Sequence, residues 1–435
     1  MNDKSHGGQS LLKNFLAGSG LQIANYVFPL IQIPYLARIL SVEGIGIFAF
    51  VTGLIAYCSV VIDWGFQLGA TRQVARHRLD KQELHRIYWT TVTARLILFG
   101  AALLLLALIA LSPVGRPVAP LLAIGAISLL AGAITPDWYF QGLERMVRLS
   151  VASFVGRLFT LIMVFLLIKQ RDDVPILIAL TCISQLLIAV AVLVLGRRHL
   201  PAGRPFIDVR GALRQIVEYR HFFFTRVSIM AYTMSSPVVL GVISGPIATG
   251  IFSGAERISR AVLALLNQAS QTIFPRVSAL MANDVDRAVV TLRRLGLIQI
   301  LWTSLFSALL IFFAEPIVML LLGKDFQSSV AVLKILGFLP AIIGISNILG
   351  IQIMIPLGMQ KEVFHITLAS AILFLGALVF MGQVWGAVGA AYALLIAEIF
   401  VTLCQIGFIF IRHQHIFISL IKGSPKKTGL FVAEE

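Results

Sequence analysis

The stretch FSGAERISRAVLALLNQ, residues 252–268, decides how this chain is read. It sits inside an apolar run from Ala248 to Phe274, long enough to cross a hydrocarbon core of about 30 Å, which needs roughly 20 apolar residues. Yet it carries Glu256, Arg257 and Arg260. Ser253, Arg257, Arg260, Ala264, Asn267 and Gln271 step by four and three residues, so on a helix of about 3.6 residues per turn they share one face. Glu256 flanks that face, about 100° from Arg257 and about 40° from Arg260. Turned to lipid, each charge would cost about 2.5–3.5 kcal/mol near the helix centre, so the face points inward. Glu256 precedes Arg260 by four residues, the favourable order for a helical ion pair. Arg257 is left for a partner on another helix, or for a cavity of net positive charge.

The rest of the chain extends the membrane reading. Of 435 residues, 58% are hydrophobic and 13% charged, and the mean hydropathy is +0.92, which excludes an ordinary soluble domain. Short polar breaks divide the sequence into about twelve lipid-length spans, near 14–38, 44–66, 87–111, 118–140, 150–169, 175–196, 222–244, 248–274, 296–322, 330–357, 364–383 and 386–411. The expected fold is therefore an all-α polytopic membrane protein. Its first apolar segment is too long for a signal peptide and is expected to be retained as a helix.

The net charge of +15 suggests nucleic acid until the positions are sorted. Of the 35 Lys and Arg, 24 fall in the termini and the even-numbered loops. By the positive-inside rule those segments are cytoplasmic, both termini included. The charge then reports topology and attraction to lipid headgroups, and no nucleic-acid partner is expected. The long segment containing PFIDVRGALRQIVEYRHFF, 205–223, spaces Phe206, Val209, Leu213 and Ile216 as an amphipathic helix joining two halves. Two lobes of six helices follow, residues 1–204 and 205–435. A shift of 204 residues lays Gly46, Ile47 and Phe48 on Gly250, Ile251 and Phe252, which implies a parallel repeat.

Several polar residues are candidates for the path between such lobes. Span 1 places Gly18, Gln22, Asn25, Pro29 and Gln32 on one face, with Pro29 and Pro34 breaking the backbone ladder. Arg95 and Arg157 lie roughly 10–12 Å inside their spans at about 1.5 Å per residue, beyond comfortable snorkelling for Arg95 at least, so with Arg257 and Arg260 they point to a cationic interior. Glu398, Glu256 and Asp63 are the candidate ion-pair or coupling carboxylates, and Asp137 stands at the end of span 4. Cys58, Cys182 and Cys404 read as apolar packing residues. No catalytic cluster, metal-ligand spacing or P-loop is evident, so neither a metal nor another cofactor is expected.

A resemblance adds to this. LLKNFLAGSGLQIANYVFPLIQIPYLARILSVEGIGIFAF at the start, DWGFQLGATRQVAR after span 2, PDWYFQGLERM closing span 4, and LLGKDFQSSVAVLKILGFLPAIIGISNILGIQIMIPLGMQ together resemble the bacterial polysaccharide-biosynthesis flippases. These are the O-antigen and exopolysaccharide repeat-unit flippases of the multidrug/oligosaccharidyl-lipid/polysaccharide (MOP) superfamily. The resemblance implies a two-lobed MATE-like fold working by alternating access in the bacterial inner membrane. Its implied cargo is an undecaprenyl-pyrophosphate-linked oligosaccharide, with polysaccharide polymerase and chain-length proteins as partners. Arg257, Arg260, Arg95 and Arg157 would then meet the pyrophosphate, and Gln22, Asn25, Gln32, Asn267 and Gln271 the sugar hydroxyls. An inside-negative potential favours outward movement of an anion by about 2.3 kcal/mol per charge per 100 mV. Two other readings are a multidrug exporter, poorly served by an Arg-lined cavity for cationic drugs, and a membrane polysaccharide polymerase or ligase. The latter calls for a large outward catalytic loop, which the expected topology lacks.

Overall fold

The computed structural model describes Phe28 and residues 31–201, 203, 205–283 and 285–414; at 148, 232, 265–276, 279, 282, 283, 285 and 286 only the backbone is described. Gln22 and Asn25, and the side chains of Asn267 and Gln271, therefore lie outside the described residues. Regular structure among the described residues is helical throughout. Helices α1 (residues 31–39), α2 (Val42–Asp63), α3 (Phe66–Arg76), α4 (Lys81–Leu111), α5 (Ala119–Ile134), α6 (Asp137–Gly142), α7 (Met146–Leu167) and α8 (Val174–Gly196) follow one another through the first half. Then come α9 (Val209–Thr233), α10 (Ser235–Ile243), α11 (Gly245–Asn283), α12 (Val285–Phe312), α13 (Ala314–Leu321), α14 (Ser329–Leu336), α15 (Leu339–Asn347) and α16 (Gln360–Arg412).

Local chemistry sets many of the boundaries. Ser41, Asp80 and Asp208 cap α2, α4 and α9, each side chain accepting a first-turn amide at 2.8–3.1 Å. Eight described helices are long and apolar enough to cross a membrane. On α4, Leu104, Leu108 and Leu111 are 63, 58 and 73% exposed at steps of four and three, an apolar stripe that suits acyl chains rather than water.

Two spans differ in detail from the sequence expectation, and two others are joined into one hairpin. The amphipathic link and the first part of span 7 are one continuous helix, α9, and that span breaks at Met234, with its two parts bent by 59°. The expected span 330–357 is built from α14, α15 and a π-helical turn, Ile348–Met354. Helix α16 is a hairpin. Gly386 adopts φ 55°, ψ −127°, a conformation open to glycine and strained for other residues. Folding back there lets Ser370 donate to the Ala397 carbonyl at 3.1 Å and brings Arg412 to Glu362. Spans 11 and 12 are thus its two arms.

The packing divides the chain into two compact units, residues 1–253 and 254–435. That division falls after the expected 204/205 link because α9, α10 and the first turns of α11 pack on α2, α3 and α4. In the first unit, Gly46 abuts the Pro246 carbonyl and the Gly250 amide, and Gly250 abuts the Val42 carbonyl, so neither has room for a β-carbon. The two glycines superimposed by the 204-residue shift are therefore in contact. An aromatic core (Phe66, Tyr88, Trp138, Tyr139, Tyr219) fills the end of this unit beside α3 and α6. The second unit centres on Val277, Leu292, Ile353, Met354, Ile366 and Ile409.

Candidate functional site

In the first unit the interior charges gather where α2 and α5 end. Helix α5 stops before Pro136, as expected from the restriction proline places on the preceding residue. Arg95, 5% exposed, reaches this break from α4. It donates to the carbonyls of Gly132 at 2.6 Å and Thr135 at 2.7 Å and stands 3.4 Å from Asp137. These carbonyls are the unsatisfied C-terminal acceptors of a helix, so the guanidinium also meets the negative end of the helix dipole. Arg95, expected from the sequence to face substrate, thus aims both terminal nitrogens at protein, while its Nε has no partner.

Asp63 occupies the matching place at the end of α2, 3.6 Å from Arg226 of α9. The sequences that follow the two aspartates are related: Asp63-Trp64-Gly65-Phe66-Gln67 and Asp137-Trp138-Tyr139-Phe140-Gln141. Their short helices α3 and α6 pack together, and Gln67 donates to Gln141 at 2.5 Å, so equivalent residues meet. Thr71 donates to the Trp138 carbonyl at 3.0 Å. The sequence held this repeat in view, but composition and hydropathy do not register a five-residue polar-aromatic motif at a helix end.

Arg157 has a different environment. It lies half-buried within α7, and among the described residues it has no hydrogen-bond or ion-pair partner; its Nε is buried and unsatisfied. A guanidinium so placed in an apolar helix bears a desolvation cost that no described protein group offsets. Gln32 is half-buried on α1. Near these, Tyr35 donates to the Ile168 carbonyl at 2.7 Å and Phe28 packs on Phe154, fixing α1 along α7.

In the second unit, Arg260 pairs with Glu256 at 2.7 Å, as the spacing predicts. Glu256 is buried, while the Arg260 side chain is 40% exposed. Arg257 is half-buried on the same helix. Glu398 is buried on the α16 face that carries Thr402 and Gln405, and the Thr402 hydroxyl donates to the Glu398 carbonyl at 2.9 Å. Two further buried amides were not anticipated: Gln352 donates to Gln299 at 3.1 Å, and Gln299 to the Gly344 carbonyl at 3.1 Å. Only the tertiary fold shows them, because an isolated Gln in an apolar span is a common packing residue.

The helical fold matches solved membrane transporters. A structure titled "Lipid II flippase MurJ, inward closed conformation" aligns with a TM-score of 0.66 at 15% identity, covering 93% of this chain and 90% of that one. An outward-facing multidrug resistance MATE family transporter of the MOP superfamily aligns at 0.51 and 15%, covering 92 and 96%. The class the fold defines is thus a multi-pass helical membrane protein with the architecture these transporters share. Two curated relatives, from Escherichia coli (strain K12) and Shigella dysenteriae, are each named "Putative O-antigen transporter". They are 28 and 27% identical over 94 and 90% of this chain, and 98% of each relative is covered. The family model described as polysaccharide biosynthesis protein matches residues 11–281, more than half the sequence, and the chain belongs to that family.

Proposed function

We propose that this protein flips an undecaprenyl-pyrophosphate-linked oligosaccharide across the bacterial cytoplasmic membrane for surface-polysaccharide assembly. The observation that carries the reading is Arg157, a guanidinium within an apolar helix that lacks a protein partner among the described residues. A pyrophosphate supplies what it lacks, a multivalent anion with acceptor oxygens arranged for a guanidinium fork. The polyprenyl chain stays in the hydrocarbon, so only the pyrophosphate and sugars need a polar path.

In this proposal Arg257 and Arg260 are further cations that meet the pyrophosphate, Glu256 orients Arg260, and Arg95 fixes the α5/α6 junction. Gln22, Asn25, Gln32, Asn267 and Gln271 remain the proposed sugar contacts. The lobes, 1–204 and 205–435, would alternate access with both termini cytoplasmic, in concert with a polymerase and chain-length protein. The curated relatives' names and the MurJ-like fold support this reading.

The test is flipping of a fluorescent lipid-linked oligosaccharide in proteoliposomes. Arg157→Ala is expected to lower the rate at least tenfold, with Arg157→Lys retaining an intermediate rate because charge survives but the fork does not. Equal rates for parent and Arg157→Ala would remove the proposed anion site.

A further inference from the structure

The turn that ends α2 is clasped by α9 at every residue. Asp63 faces Arg226 at 3.6 Å. Trp64 donates its indole N–H to the Ile216 carbonyl at 2.8 Å and stacks on Phe223, ring centroids 4.0 Å apart and planes 15° from parallel. A β-carbon on Gly65 would overlap Phe222. Farther along the same seam, the Tyr57 hydroxyl meets Ser235 at 2.5 Å, where the bent helix resumes as α10.

Two features separate this clasp from an ordinary helix contact. Trp64 sits at φ 41° and Gly65 at φ 84°; a tryptophan in the left-handed region is strained and persists only where its surroundings hold it. Moreover, α9 is held unevenly. Its beginning is locked in, with Ala212, Gln215 and Tyr219 at 0, 5 and 2% exposed and Gln215 bonded to Thr91. Seven residues beyond Tyr219, Arg226 and Asp63 keep 42 and 30% side-chain exposure. Both side chains therefore reach the molecular surface, so parting them leaves neither charge enclosed by protein.

We propose that Asp63 and Trp64, closing on Phe223 and Arg226, form a gate on the side of the membrane that carries the basic 67–86 segment. The anchored start of α9 acts as its fixed end, and the Asp63–Arg226 pair is the contact that parts first. The gate rests on the transport reading for its turnover arm alone; whether the seam opens is read independently of cargo.

With Cys58, Cys182 and Cys404 replaced by serine, Ser235→Cys places a reporter thiol in the seam, where Ser235 is 2% exposed. In vesicles of both orientations, a membrane-impermeant maleimide is expected to label it from the 67–86 side at least fivefold faster in Asp63→Asn and in Arg226→Gln. Arg226→Lys should return the rate to within twofold of the parent, with thermal stability matched across the set. Unchanged labelling in both neutral variants overturns the gate. In the second arm, Asp63→Cys/Arg226→Cys is bridged by a reducible bis-methanethiosulfonate. The bridge is expected to stop turnover and reductant to restore it, and turnover by the bridged protein overturns the proposal. If the parent moves no lipid-linked oligosaccharide while labelling still responds, the cargo reading falls and the gate stands.

Discussion

Two five-residue segments begin alike and serve different ends. Asp137-Trp138-Tyr139-Phe140-Gln141 is held in the first unit by its three buried aromatic residues and its arginine: the aspartate, its side chain 33% exposed, faces a 5%-exposed Arg95 that also binds two helix-end carbonyls, and Trp138 is 1% exposed. Asp63-Trp64-Gly65-Phe66-Gln67 instead meets α9 through a half-exposed ion pair and an indole stacked on Phe223. One motif thus makes a permanent joint where burial surrounds its arginine and a separable contact where the arginine reaches the molecular surface. The difference lies in the arginine's surroundings, since a buried guanidinium cannot leave its acceptors without stranding charge, whereas one at the surface can.

Predictions follow that difference. The largest effect should come from Arg95→Ala, which frees the Gly132 and Thr135 carbonyls and leaves Asp137 without its cation. A loss of about 3–5 kcal/mol is expected, seen as collapse of the yield of monodisperse protein in detergent. Arg226→Gln should cost about 1 kcal/mol or less in the same measurement, because its pair is exposed. Equal losses would erase the distinction between the two segments.

An intermediate effect is expected at Trp64. Trp64→Phe keeps an aromatic ring to stack on Phe223 but removes the 2.8 Å bond to Ile216, costing about 1 kcal/mol. A matched fall in melting temperature with no change in Ser235→Cys labelling would make the indole bond a strut and not part of the clasp.

The smallest effect belongs to a pair linking the two segments beyond their short helices. Arg78 donates to Glu144 at 2.8 Å, and this bond holds the Glu144 carboxyl below its ordinary value. A lowered folded-state pKa adds stability above the unfolded value of about 4.5, and that stability is lost as pH falls through the folded one. With side-chain exposures of 36 and 54%, the contribution is screened. Glu144→Gln should shift the melting temperature by about 1 °C or less at neutral pH, and any shift should vanish in high salt and once the pH falls below the lowered folded-state pKa.

The membrane class, the all-helical character and the pairing of Glu256 with Arg260 were all legible in the sequence, because hydropathy and helical spacing act over a few turns of one chain. The hairpin in α16 was legible too, as two spans parted near Gly386. What was not legible is how interior cations are partnered. Arg95 and Arg157 look equivalent as isolated arginines in apolar runs, yet one binds the end of α5 and the other has no described partner.

The sequence by itself determined that this is a multi-pass helical protein, since the length and apolarity of its spans depend only on the order of residues along the chain. The tertiary structure alone decided which of its charges are fixed and which are accessible. That follows from what lies within about 4 Å of each guanidinium, a distance bridged here by residues 37 to 163 positions apart in the chain. It also decided that the Asp-Trp turn at the end of α2 meets α9, a contact no local pattern specifies.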